Sequence, residues 1–187
     1  MSTYQPLWID GQTVGDSLRD AERRYAMIHE CLEGLVSPGF TLLDVGAQSG
    51  YFSVRFADEM GAQATAIDGE AVLMEGLQAM APHGVSGVMK FLRPRDLKIF
   101  RPVDVGLCLS VLHHVDWWET MLDELMGLCR ILFVECAMPG EEIGKDPELL
   151  TEQHRTVAGF PGATLAGWTP GYDARVERPM YLIPGRR

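Results

Sequence analysis

Apolar positions along the chain fall into two alternating rhythms. Short apolar runs at Thr41–Val45, Ala62–Ile67, Gly87–Leu92, Asp104–Ser110 and Ile131–Cys136 predict strands, the last being broken only by Glu135, as in a buried parallel strand. Between them, apolar residues recur three and four apart, as on helices. Leu18, Ala21, Tyr25, Ile28, Leu32 and Leu35 make the first such stripe, opened by a capping-box-like Ser17 and Asp20 and ended by Pro38-Gly39. A second helix runs from about Tyr51 to Met60, with Gly61 as the left-handed residue beyond it. A third covers Glu70–Met80 with Val72, Leu73, Leu77 and Met80 inward, and Pro82 stops it. Asp116 and Glu119 form a capping box for a fourth, which reaches about Arg130. Two last strands lie near Thr164–Trp168 and Glu177–Ile183. This order predicts an α/β fold, a doubly wound sheet with an antiparallel hairpin at one edge. The 187 residues suffice for one domain, 1–187, with 1–37 as an N-terminal helical lead-in.

The first strand carries the most specific chemistry. It runs through Leu42-Leu43-Asp44-Val45-Gly46-Ala47-Gln48-Ser49-Gly50 into the helix that begins Tyr51-Phe52. Gly46 and Gly50 let the backbone turn sharply and approach a ligand. The next strand ends on Asp68, 18 residues beyond Gly50, where a carboxylate can accept both hydroxyls of a ribose. The loop is G-x-x-x-G rather than the G-x-G-x-x-G of a dinucleotide site. Asp44 stands two residues before the first glycine, where its charge repels a diphosphate and suits an aminoalkyl sulfonium.

This loop and its acids resemble motif I of the class I S-adenosylmethionine-dependent methyltransferases. The resemblance extends over most of the chain and implies that family's Rossmann-like sheet of seven strands. It implies S-adenosylmethionine as cofactor, held by Asp44, Gly46 and Gly50 of the loop and by Asp68 at the ribose. It places Asp96 at the adenine, although an exposed loop acid is an equal alternative there, and Ser110 beside the methionine moiety. Gln48, Ser49, Gly69 and Leu97 complete the expected cofactor set. Gln48 departs from members with a middle glycine and is closer to relatives with Asn. The leading helix either closes over the cofactor, as in some members, or simply covers one sheet face.

Composition narrows the partners. Sixteen basic residues against 26 acidic ones leave a net charge of −10, which argues against nonspecific binding of a phosphate backbone. Arg19, Arg23, Arg24, Arg93, Arg95, Arg186 and Arg187 could still form a local patch. Cys31, Cys108, Cys129 and Cys136 lack C-x-x-C spacing and read as core thiols of a reducing compartment. The N-terminus lacks a basic start and an apolar stretch, and no run reaches a membrane span, so a cytoplasmic location is expected.

The acceptor side centres on His113-His114, which follow Ser110 in the loop that faces the transferred methyl in such sheets. A histidine there could remove the proton from an attacking hydroxyl or ammonium. Two adjacent residues of an extended segment point apart, so one histidine is expected to reach the acceptor, with His114 preferred. In the alternative, the pair shapes the methionine pocket. Glu135, His154 and Arg155 are further candidates for acceptor contact, and Trp117, Trp118 and Trp168 for apolar walls. No Asn-Pro-Pro-Tyr or Pro-Cys signature is present, and no carboxylate cluster predicts a metal. The expectation is O-methylation of a small-molecule or sugar-like acceptor. An RNA methyltransferase and a catalytically silent S-adenosylmethionine-binding subunit are the alternatives, and the sequence leaves the oligomeric state open.

Overall fold

A computed structural model describes residues 4–93, 95–172 and 175–186. The chain opens with an antiparallel ribbon, β1 (Leu7–Ile9) and β2 (Gln12–Val14), followed by α1 (Ala21–Leu32). Strands β3 (Thr41–Val45), β4 (Gln63–Asp68), β5 (Val85–Met89), β6 (Val103–Leu109) and β7 (Cys129–Glu135) then alternate with helices. Those helices are α2 (Tyr51–Met60), α3 (Val72–Met80) and α4 (Trp118–Leu128). Helix α5 (Pro147–Ala158) precedes β8 (Thr164–Pro170) and β9 (Glu177–Pro184).

The seven main strands form one sheet of order β5-β4-β3-β6-β7-β9-β8. The first five are parallel, while β9 runs antiparallel to both β7 and β8. Successive residues of a strand face opposite sides of a sheet. Leu42 therefore joins a core with Tyr25, Ile28, Phe52 and Phe56 from α1 and α2, whereas Leu43 joins Leu122, Leu125 and Met126 of α4 on the other side. Burial on both faces explains why the central strands read as near-continuous apolar runs. The switch in strand order falls between β3 and β6, and a crevice opens there beyond the carboxyl ends of the strands.

Several sequence expectations shift. The stretch 1–37 is not a helical lead-in throughout, because it contains the β1–β2 ribbon and only one helix. Asp20, not Ser17, caps α1 by accepting from Arg23 N at 3.0 Å. The Ser17 hydroxyl instead donates to Tyr4 O and lies against Arg19 O. Leu18 and Leu35, outside the shorter helix, are exposed. The capping box at Asp116 does not form: Trp117 occupies the cap position of α4 with no side-chain bond, and Asp116 stands at the crevice rim. Helix α4 ends at Leu128 and passes directly into β7. The strand expected in Gly87–Leu92 lies at Val85–Met89.

Candidate functional site

The crevice at the ends of β3, β4 and β6 is a cleft of about 590 Å³, within the range of small-molecule sites. Its floor is the loop after β3. Gly46 and Ala47 each donate a backbone N–H to Ile67 O at 2.9 Å, drawing the loop across β4. Gly46 has φ +74°, and a Cβ there would fall 2.4 Å from Val111 Cγ2, so the turn needs glycine. Gln48 also lies in the left-handed region, at φ 51°. Its N–H donates to Asp68 Oδ2 at 2.8 Å and its Oε1 accepts from Ser49 N at 2.7 Å. Asp68 is fixed from the other side by Glu70 N, which donates to Oδ1 at 2.9 Å. A carboxylate has about four lone-pair sites, so Asp68 keeps acceptor capacity at the cleft wall.

The expected residues divide into two groups. Gly46, Gln48, Asp68, Gly69, Ser110 and His114 line the cleft. The Phe91 ring packs over Gly69, where a Cβ would lie 2.2 Å from it. Asp44, Ser49, Gly50, Asp96, Leu97 and His113 are not among the lining residues. Asp44 is buried beneath the loop and accepts from Ser53 Oγ at 2.9 Å. Burial pushes its pKa up to about 7 against the opposing Ser53 hydrogen bond and Arg24 charge, so it is not the open anionic group that its position in the loop suggested. Ser49 Oγ donates to Pro6 O, tying the loop to the N-terminal segment. Gly50, at φ 84°, caps α2. Asp96 accepts from Lys90 Nζ at 2.7 Å and Arg93 N at 2.8 Å, and Leu97 is core.

Ser110 follows β6 with φ 63°, a region sparsely used outside glycine. Its backbone N–H donates to Glu135 O at 3.1 Å, and its hydroxyl donates to Glu135 Oε2. Arg19 Nη1 donates to the same hydroxyl at 3.1 Å and to Tyr4 OH at 3.3 Å. Glu135 is thus not an acceptor contact but the centre of a buried cluster. It binds Arg19 Nη2 at 3.0 Å, Arg24 Nη2 at 2.9 Å and Thr169 Oγ1 at 2.6 Å. Burial alone would raise its pKa, yet the Arg24 and Arg19 guanidiniums with the Ser110 and Thr169 hydroxyls hold it at about 2. Arg24 Nε and Nη1 are buried without a hydrogen-bond partner.

Leu112–His114 form one 3₁₀ turn rather than an extended segment, so the two imidazoles do not point apart: their centroids are 4.1 Å apart. His113 is buried, and burial, aided by positive charge at His114, Arg178, Lys145 and Arg19, lowers its pKa to about 3. His114 is exposed on the cleft wall, and partial desolvation with the Lys145 and Arg178 charges lowers its pKa. Of the three tryptophans, Trp117 lines the cleft, Trp118 is core and Trp168 lies on β8. His154 pairs with Tyr181 OH at 2.8 Å, and Arg155 is exposed on α5.

Sequence reasoning missed Tyr4, Arg19, Arg24 and Thr169. A usable signal existed for one pair: Arg24 sits on the apolar stripe of α1, and Glu135 interrupts an apolar strand. Opposite charges on two buried faces imply each other. Their burial removes Arg19 and Arg24 from the expected arginine patch; Arg186 pairs with Asp123, and Arg187 lies outside the described residues. Among the described residues no group of three or more His, Cys, Asp or Glu could hold a metal ion, and no helix is long and apolar enough to cross a membrane.

No protein-family model and no curated protein matches the chain. Solved structures do. The bifunctional kinase-methyltransferase WbdD matches at a TM-score of 0.71 and 24% identity over 90% of this chain, which spans 40% of the WbdD chain. The N-terminal domain of EvdMO1, crystallised in the presence of SAH and D-fucose, matches at 0.66 and 14% identity, over 97% of this chain and 90% of that one. Magnesium protoporphyrin IX methyltransferase (ChlM) from Synechocystis PCC 6803, with bound SAM, matches at 0.65 and 19% identity, over 88% and 79%. The glycine loop, the seven-stranded order and these neighbours agree: the chain has the fold of the class I S-adenosylmethionine-dependent methyltransferases.

Proposed function

We propose that this protein transfers a methyl group from S-adenosylmethionine to an oxygen of a small-molecule or sugar-like acceptor. The carrying observation is that Gly46, Gln48, Asp68, Ser110 and His114 converge on one cleft at the switch point of the sheet. The residues suit the cofactor. Asp68 retains acceptor capacity for ribose hydroxyls, Gly46 lets the loop turn tightly against Val111 at the cleft floor, and Ser110 stands just beyond β6 for the methionine moiety. When bound, S-adenosylmethionine supplies an electrophilic methyl on sulfonium. The chain's part is to align the acceptor oxygen, exclude water and take up a proton.

His114 fits the last role. With its pKa below the ordinary histidine value it is neutral at pH 7 and has a free nitrogen lone pair, whereas His113 is sealed beneath it. Trp117 and Tyr4 supply aromatic wall on the same cleft. The sugar-like acceptor rests on the D-fucose present with EvdMO1.

Calorimetry with S-adenosylhomocysteine, followed by labelled S-adenosylmethionine with panels of sugars and hydroxylated metabolites, tests the proposal. It expects binding and alkali-stable methyl ethers as products. Absence of binding removes the cofactor assignment, and labelled amines or RNA in place of ethers remove the acceptor assignment.

A further inference from the structure

The three most exposed large hydrophobic side chains among the described residues are Ile99 (72%), Phe91 (71%) and Met89 (57%). All lie between residues 89 and 101, a stretch that also holds Lys90, Arg93, Arg95, Lys98 and Arg101. These are five of the sixteen basic residues of a chain with net charge −10, and Asp96 is the one acid among them. Lys90 pairs with Asp96 at 2.7 Å and Lys98 with Glu124 at 3.2 Å. Arg93, Arg95 and Arg101 form no ion pair among the described residues.

Leu97 and Phe100 anchor its second half. Leu97 is buried and Phe100 packs against the same core, so the 3₁₀ turn between them holds Ile99 outward. Met89 ends β5, one of the two edge strands of the sheet. All three are more than half exposed, although the Phe91 ring rests with one face on Gly69. A folded partner would need matching hollows for them, whereas a fluid bilayer accepts protruding apolar groups of any shape. Guanidiniums and ammoniums beside them bind headgroup phosphates while their stems lie along acyl chains. Two of the three side chains are aliphatic or thioether and offer no face for stacking bases.

We propose that residues 89–101 dock the protein on an anionic lipid bilayer. The net charge of −10 makes this basic stretch the contrast that orients the protein on an anionic surface. Lys90 and Phe91 also line the cleft, so docking brings the cleft mouth to the lipid surface.

Flotation with phosphatidylglycerol-rich and pure phosphatidylcholine vesicles tests the proposal, using Ile99→Ser and the double variant Arg93→Glu, Arg101→Glu. Thermal melting checks that the variants fold. Binding to phosphatidylglycerol vesicles alone is expected, loosening as salt rises. Each lost basic residue should weaken partitioning about fivefold. Equal recovery with both vesicles, no recovery with either, or unchanged binding by folded variants overturns the proposal. Salt-sensitive binding of bulk RNA without vesicle binding reassigns the surface to nucleic acid. Because this assay needs neither cofactor nor acceptor, its outcome is independent of the methyltransferase assignment.

Discussion

The two walls of the cleft are built by opposite means. On the β3–β4 side, Gly46, Gln48 and Asp68 belong to one β3–α2–β4 unit, and backbone N–H groups tie them together: Gln48 and Glu70 both donate to Asp68. On the β6–β7 side, Ser110 is held by Glu135 and Arg19, which lie 25 and 91 residues away. The first wall needs a turn geometry and little else. The second needs a desolvated cluster in which Glu135, Arg19 and Arg24 are all at most 1% exposed. A buried ion pair adds little net stability over an apolar substitute, but removing one partner strands the other charge out of water. The local wall should therefore fail gently and the remote wall abruptly.

Glu135→Ala probes the remote wall and carries the largest expected effect. It leaves Arg19 and Arg24 buried without their counter-charge and should cost about 3–5 kcal/mol in a urea denaturation series. A cost below about 1 kcal/mol would mean that the two walls do not differ in kind. His114→Ala comes next, with kcat about a hundredfold lower and S-adenosylhomocysteine affinity unchanged if this residue is the proton acceptor. The parent's rate should rise with pH and level off with a midpoint below the ordinary histidine value, because desolvation and the Lys145 and Arg178 charges lower the His114 pKa. A flat profile in the variant supports the role; an unchanged profile removes it.

Asp68→Ala tests the local wall. It should weaken S-adenosylhomocysteine binding by about 1.5–3 kcal/mol in calorimetry, with a smaller loss of fold stability than Glu135→Ala. Equal affinity would place the ribose elsewhere. The smallest pair compares two acids in cap-like positions. Asp20→Ala, which removes the cap of α1, should cost about 1 kcal/mol in thermal or urea unfolding. Asp116→Ala should stay within about 0.5 kcal/mol, since no side-chain cap bond is present on α4.

The same contrast governs what could be read in advance. Strands β3, β6, β7, β8 and β9 and helix α2 lie within a residue or two of their expected bounds, because apolar runs and Gly61 mark them locally. Ser17 and Asp116 carry capping sequences without capping a helix, because such sequences are permissive and the partners of each side chain are settled by tertiary contacts: the Ser17 hydroxyl is engaged with Tyr4 O. His113 and His114 carried their chemistry in plain sight, but their relative depth depended on a 3₁₀ turn that two letters do not specify. Asp44 matched the loop motif while its ionisation was set by burial under α2.

The sequence by itself determined the element order, the doubly wound class, the glycine turn after β3 and the acid at the end of β4. These follow from backbone preferences and side-chain periodicity, which act over a few residues. Only the tertiary structure decided that Arg19, Arg24 and Glu135 meet behind Ser110, that Tyr4 reaches the cleft and that Asp96 pairs with Lys90. Those outcomes rest on desolvation and on contacts between residues far apart in the chain, and neither exists until the sheet and its covering helices have closed around them.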